Sequence, residues 1–396
     1  MNTVNRSYKF RIYPTEEQVA AMEEQLRLCR MLYNAALEQR ISAYKTGVSV
    51  AYNMQSMELP AVKGDNLEYG DVYAQVLQNV LHRLDRAFMN FFRRVKEKRE
   101  KAGFLRFRGA DRYDSLTYPQ TGFAIERKRL HLSKIGNVRL RQHRHVEGKV
   151  KTCTIRRDRC GDWYATLVCV LPDVLPVEVR TAVGVDVGLK HLAMLSTGEV
   201  IEPQKQLRNA QWKLGHEQRA LSRKQKGSEN RKKQKGRLAK AHRRIERVRD
   251  DWLHKVSRQI VDGADMIVFE NLNISNMVQN HNLALSIADA SWGKLIQFCT
   301  YKAEGAGKSV ELVDPGNTSQ LCSRCGAHVR KSLSDRVHRC SNCSLIMDRD
   351  LNASLNILGR VGWGTSELEN ACGGGRLQDG EGYPVPATEA GMSTRS

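Results

Sequence analysis

No run of about 18 apolar residues occurs anywhere in the 396-residue chain, so no membrane-spanning helix is expected. The stretch Met1 to Tyr13 is polar and alternating and lacks the apolar block of a signal peptide, which predicts a cytoplasmic protein. The chain is also short of acid: 43 Asp and Glu stand against 64 Lys and Arg, a net charge of +21. Such an excess concentrates polyanions around a protein and releases counterions when phosphates bind, although a basic solubility surface would look the same in composition alone. A disulfide framework is excluded for a cytoplasmic chain of this size, in spite of its ten cysteines. Six of them (Cys29, Cys153, Cys160, Cys169, Cys299, Cys372) are scattered and read as small packing residues.

What is present falls into three stretches. Arg6 to Tyr13 alternates as a strand, and Pro14 ends it. Thr15 and Gln18 then form a capping-box pattern that opens a helix with Val19, Met22, Leu26, Cys29 and Tyr33 on one face. A second long helix is expected over about 71–101, with Val76, Val80, Leu84 and Phe91 inward and Gly103 as its stop. From about Tyr113 to Leu171 short alternating strands take over, including a hairpin with its turn at Gly136-Asn137, which predicts a small barrel that the first strand could join. After a linker at Pro172 to Arg180 the pattern becomes α/β to about Leu358. The last 38 residues hold 9 of the 30 glycines and predict a flexible tail. Charge is uneven: between Lys213 and Asp250 there are 15 basic and 4 acidic residues, roughly half of the whole excess.

Three acids stand out against this background. In Val183-Gly-Val-Asp-Val-Gly188, read as a strand, the valines share one face and Asp186 lies on the other between two glycines that leave it uncrowded. A solvent-facing Asp on an edge strand would account for this piece equally well. Met266-Ile-Val-Phe-Glu270 reads as a buried central strand with Glu270 at its C-terminal end, where α/β sites are usually built. In Asp348-Arg-Asp350-Leu-Asn-Ala-Ser-Leu-Asn-Ile-Leu358 an acid opens a helix with Leu351, Leu355 and Leu358 at helical spacing, and either Asp could be its N-cap. Carboxylates are hard oxygen ligands suited to Mg²⁺ or Mn²⁺, and two such ions can activate water and stabilise a leaving oxygen at a phosphodiester.

The cysteines Cys322-Ser-Arg-Cys325 and Cys340-Ser-Asn-Cys343 enclose a loop of 14 residues. Four thiolates in two close pairs make a closed tetrahedral Zn²⁺ shell with no open position, so the metal would fold the insert and do no chemistry. Arg324, Arg330, Lys331, Arg336 and Arg339 make that insert basic.

Taken together, Gly184-Val-Asp186-Val-Gly188, Glu270-Asn-Leu272, Thr318-Ser-Gln-Leu-Cys322-Ser-Arg-Cys325-Gly326 and Asp348-Arg-Asp350-Leu-Asn352-Ala353 resemble TnpB, the transposon-encoded relatives of type V CRISPR effectors and Fanzor proteins. Tyr8-Lys-Phe-Arg-Ile-Tyr-Pro14, Leu77-Gln-Asn79, Gly103-Phe-Leu-Arg-Phe-Arg108, His254-Lys255 and Leu285 to Gly293 extend the resemblance over roughly residues 5 to 358. One departure is Leu105, where relatives usually carry proline. The resemblance implies a multidomain α/β protein: a wedge β-barrel with an inserted helical recognition region over 1–171, then a RuvC-like nuclease domain of RNase H fold over 172–358 with a zinc ribbon at about 317–347. It implies catalytic acids Asp186, Glu270 and Asp350 with Mg²⁺, Asp348 being a neighbour, and structural Zn²⁺ on the four cysteines. It further implies a guide RNA from the transposon end as partner and double-stranded target DNA cut beside a short target-adjacent motif, in a prokaryotic cytoplasm. Tyr52 and Gln78 are similar to positions that contact that motif. Arg243, Arg244 and Arg247, opposite an inward stripe of Ile245, Val248, Trp252 and Val256, are expected to face nucleic acid; a solvated helix face is the plainer alternative. A guide-bound regulator or a transposition accessory protein without cleavage is the competing function, and the intact acids count against it.

Overall fold

The computed structural model describes residues 3–97, 103–172, 174–277, 279, 290–332 and 335–363. The expected tail beyond 363 and the segment 285–289 lie outside the described residues. The chain divides into two compact units, 1–173 with 210–245 and 174–209 with 246–396, so the basic segment groups with the first.

The first unit opens on β1 (Thr3–Tyr13), whose Tyr8, Phe10 and Ile12 are buried on one face. Helix α1 (Glu16–Lys45) follows, and the capping box at Thr15 and Gln18 is formed as expected. Between α1 and α3 (Ala74–Lys96) lies α2 (Tyr52–Asp65), a helix with no sequence signal: Pro60 sits inside it and its apolar residues follow no stripe. Helix α3 is shorter than the pattern suggested and ends at Lys96, with Arg93, Arg94 and Lys96 in its last turn, favourable partners for the carbonyl end of a helix.

Six further strands complete this unit: β2 (Ser115–Pro119), β3 (Phe123–Glu126), β4 (Arg129–Leu132), β5 (Gly136–Arg141), β6 (Lys149–Arg157) and β7 (Trp163–Pro172). They form one sheet of order β2-β6-β7-β1-β5-β4-β3, antiparallel throughout. The expected barrel is therefore not closed by hydrogen bonds. Its two edge strands, β2 and β3, are nevertheless joined by only residues 120–122, so the sheet must curl until its edges nearly meet. The β4–β5 turn also sits earlier than Gly136-Asn137. Lys134 takes the left-handed conformation (φ 69°) and Gly136 closes the turn at φ 93°, so Asn137 is already in β5, opposite His131. One apolar core joins α1, α3 and the sheet.

The second unit is built on a five-stranded sheet of order β10-β9-β8-β11-β12. Its strands are β8 (Ala182–Val187), β9 (Ala193–Leu195), β10 (Val200–Ile201), β11 (Met266–Glu270) and β12 (Ser309–Val313). β8, β9 and β10 are antiparallel neighbours, whereas β11 pairs parallel with both β8 and β12. Helices α4 (Lys205–Ser222) and α5 (Glu229–Gly263) intervene before β11, followed by the short α6 (Ile274–Met277), α7 (Trp292–Glu304) and, at the end, α8 (Arg349–Gly359). One face of the sheet packs Val183, Val185 and Val187 against Leu253, Val256 and Ile260 of α5 and Trp292, Leu295 and Cys299 of α7. The other face packs Ala182 and Val268 against Ile357 and Leu358 of α8. A sheet covered on both faces is why β11 is a continuous apolar run.

Candidate active site

The glycine before Asp186 has a role the sequence did not suggest. A Cβ on Gly184 would stand 2.1 Å from the carbonyl oxygen of Ser354 and 3.0 Å from the Cβ and N of Leu358. Gly184 thus lets α8 lie directly on β8, and the face expected to be open is filled by a helix. Two residues along the strand is Asp186; one turn back along the helix is Asp350. The close crossing at Gly184 carries the two acids to one place. Gly184→Ala must push α8 outward by more than an ångström, and overpacking of that kind costs about 1–3 kcal/mol or more. We expect a lower melting temperature and loss of any chemistry that needs Asp186 and Asp350 together, measured by thermal unfolding beside the activity assay below.

Glu270 reaches the same place from the next strand. Phe269 pairs with Val185, so Glu270, the last residue of β11, follows beside Asp186. Burial raises the Asp186 carboxyl well above the usual carboxylate range, and the neighbouring charges of Glu270 and Asp350 raise it further. Glu270 is 8% exposed and is also raised by burial, while the Thr318 hydroxyl and Arg360 pull the other way. The Thr318 hydroxyl donates to Glu270 Oε1.

Either Asp at the start of α8 could have been its cap, and the structure separates them. Asp348 is the N-cap, accepting from the amides of Asp350 at 2.7 Å and Leu351 at 3.2 Å. Asp350 is left to face the other acids, with the Arg349 guanidinium donating twice to its Oδ1 at 3.1 Å. The helix expected from the leucine spacing is present, and its buried residues are Asn352, Ala353, Ser354, Ile357 and Leu358, while Leu351 and Leu355 are only half-buried. The strand glycine draws the small residues Ala353 and Ser354 inward beside Leu358.

That arrangement fits hard divalent cations. Burial opposes the ionisation of Asp186 and Glu270, and the charges of Glu270 and Asp350 oppose that of Asp186 further, a situation a Mg²⁺ or Mn²⁺ ion would relieve. The four cysteines are drawn tighter: the ligand atoms of Cys322, Cys325, Cys340 and Cys343 all lie within 4.8 Å of one another, the one such group among the described residues. Sulfur pairs at 3.5 Å, Cys322 to Cys343 and Cys325 to Cys340, approach the roughly 3.8 Å that a tetrahedron of about 2.3 Å Zn–S bonds requires. Hydrogen bonds from the Asn342 side chain and the Ala327 amide lower the Cys325 thiol, the direction that favours a metal ligand. The strands β13 (Val337–Arg339) and β14 (Ile346–Asp348) form the small hairpin of this insert.

Of the remaining candidates, Arg243 is corrected. Its guanidinium is ion-paired to Asp158 at 2.9 Å and to Asp162, and is about one-fifth exposed, so it braces α5 against the β6–β7 turn. Burial alone would raise Asp158, but Arg243 and the amides of Asp162 and Cys160 more than reverse it, holding that carboxyl low. This stabilisation is full above the ordinary carboxylate range and is lost as pH falls through the lowered value. Arg243→Ala should therefore cost about 1–2 kcal/mol of stability at neutral pH, a deficit that shrinks in acid; thermal unfolding across pH would measure it. Arg244 and Arg247 are exposed, and the stripe beneath them holds, with Ile245 and Val256 buried and Val248 and Trp252 half-buried. Tyr52 of α2 meets the His82 ring edge-on at 5.5 Å, one turn of α3 beyond the exposed Gln78, so both predicted residues lie on one α2–α3 face. Sequence reasoning gave no role to Thr318, Arg349, Asn352, Asn356 and Arg360, although the last three recur at intervals of four along α8 and its C-cap.

Comparison with known proteins places this geometry in a family. Residues 167–281 match a model described as "Probable transposase" (OrfB of IS605), 292–357 a "Cas12f1-like, TNB domain", and 1–48 a "Helix-turn-helix domain". In this chain the last of these forms a strand and one long helix. A Streptomyces pristinaespiralis protein named "Putative RNA-guided DNA endonuclease" is 36% identical over 384 residues, 95% of this chain and 92% of its own length. The Escherichia coli K12 "Putative RNA-guided DNA endonuclease InsQ" is 33% identical over 89% of this chain and 91% of its own. Among solved structures, a Cas12f1–sgRNA–target DNA complex is loosely similar (TM-score 0.36, 17% identity, 90% of this chain and 99% of that one). The chain belongs to the TnpB (OrfB) family.

Proposed function

We infer that this protein is an RNA-guided DNA endonuclease whose cutting centre is the junction of β8, β11 and α8. The observation that carries the reading is the juxtaposition of Asp186, Glu270 and Asp350, set by the pairing of Phe269 with Val185 and by the crossing of α8 at Gly184, in the chain of a family whose curated relatives bear that activity in their names. The sheet order, three antiparallel strands followed by two parallel ones, supports an RNase H fold of the RuvC type. On this reading Asp186, Glu270 and Asp350 hold Mg²⁺, with Mn²⁺ as substitute. Divalent cations bound there supply Lewis acidity to the scissile phosphate and a nucleophile at neutral pH. The protein's own part is to fix three oxygens on two strands and a helix, with Arg349 paired to Asp350 at the edge of the group. Zn²⁺ on the four cysteines folds the insert.

The guide RNA comes from the transposon end and pairing with it selects the double-stranded target, while the protein reads a short adjacent motif, with Tyr52 and Gln78 at that contact. Exposed basic residues on α4 and α5, Arg244 and Arg247 included, serve the RNA phosphates. No helix among the described residues is long and apolar enough to cross a membrane.

The test is a plasmid cleavage assay. The chain is co-expressed with its flanking transposon-end RNA carrying a chosen guide, purified, and given Mg²⁺ and a target library with randomised flanks. Guide-dependent linearisation with one shared flanking motif is expected. Binding of the guided target without any cut, at all metal concentrations, would make the protein a regulator.

A further inference from the structure

The loop 314–323 leads from β12 into the cysteine insert, and it is fastened to the cutting site with more care than a connector needs. Helix α8 and its C-cap present Asn352, Asn356 and Arg360, four residues apart and so on one face. Asn352, fully buried, accepts from the Ser323 amide at 3.0 Å and donates to the Leu321 carbonyl at 2.7 Å. Asn356 donates to the carbonyls of Thr318 and Leu321 at 2.7 and 2.8 Å, and Arg360 donates to that of Gly316. The one side chain this loop sends to the site is Thr318, 5% exposed, whose hydroxyl donates to Glu270 Oε1 and also lies 3.3 Å from the Pro315 carbonyl. A carboxylate at the end of a strand has a free rotor; a donor held by three residues of α8 fixes it.

We propose that Thr318 is a positioning residue for Glu270, and that Asn352, Asn356 and Arg360 hold the loop that carries it, making the entry to the cysteine insert part of the nuclease site. The inference rests on the reading of the three acids as a divalent-cation site. The same helix delivers Asp350 and sets the aim of Glu270, so two of the three acids share one rigid support.

The experiment compares Thr318→Val, which keeps the shape and removes the donor, with Thr318→Ser, which keeps the donor. Mn²⁺ binding to the full chain with its RNA is measured by electron paramagnetic resonance, with zinc per chain and guide affinity recorded in parallel. A partner of a metal-binding carboxylate is worth on the order of 10- to 100-fold in metal affinity. Thr318→Val is expected to weaken Mn²⁺ binding at least about tenfold at unchanged zinc content and guide affinity, and Thr318→Ser to restore it. Binding that Glu270→Gln abolishes but Thr318→Val leaves intact would overturn this inference alone, as would a Ser variant no better than Val. Binding that Glu270→Gln does not touch would remove the three-acid reading itself.

Discussion

Asp186→Asn should lower guide-directed cutting by at least about 10³-fold, roughly 4 kcal/mol of transition-state stabilisation, while leaving guide affinity within about twofold. It should at the same time make the metal-free protein more stable. Asp186 is raised first by its burial and then by Glu270 and Asp350, so its charged form is disfavoured in the fold. A carboxyl raised by folding imposes no penalty where both states are protonated, and an increasing one as pH rises through and beyond the ordinary carboxylate range. The neutral amide removes that penalty. Thermal unfolding without added Mg²⁺ should therefore show the variant above wild type at neutral pH and level with it in acid. A residue that served the fold would move stability the other way, so a variant both inactive and less stable would argue against a metal-binding role for Asp186.

The second large effect is expected from the cysteines. Cys340→Ser removes one of four ligands from a shell whose metal supplies on the order of 10 kcal/mol of folding free energy in small ribbons. Zinc bound per chain should fall from one to near zero, and residues 317–347 should become sensitive to protease while the five-stranded sheet and the first unit stay folded. Cutting should fall with it, because Cys322 is adjacent to Ser323, whose amide is held by Asn352 in the loop that carries Thr318. Retained cutting in a zinc-free variant would mean that this loop keeps its shape without the insert.

The candidate site residues were legible because each is a rare side chain in a rare setting: an acid inside a valine strand, an acid closing an apolar run, two cysteine pairs. What placed them was not. Gly184 read as a way to leave Asp186 uncrowded, yet its missing Cβ admits the Ser354 carbonyl of a helix some 170 residues later, and no local pattern announces a contact at that separation. Arg243 looked like its neighbours in a basic run; only the fold brings Asp158 and Asp162 to it. Helix α2 was invisible because Pro60 argues against a helix and its burial rests on just Gln55 and Leu59. The curled sheet was half legible, since alternation marks strands but says nothing about whether the two edges bond.

Helix α8 meets its surroundings on three sides at once: Asp350 at the acids, Ser354 and Leu358 against Gly184, and the asparagines against the loop. Its azimuth is therefore fixed. Inserting or deleting one residue turns everything beyond it by about 100°, so a single change of length within 351–358 would put the contacts before it out of register with those after it, and the three could not all be kept. Of the 14 residues between Cys325 and Cys340, Val337–Arg339 are tied to β14 and Val329 and Lys331 to the loop before the insert, but none of these ties fixes a helix azimuth, and lengthening a loop costs only about 0.6 kcal/mol for each doubling. Variation in length within this protein's lineage should therefore collect in the insert and stop abruptly at Arg349, and a peptide tag meant to report on the working enzyme belongs between those cysteine pairs.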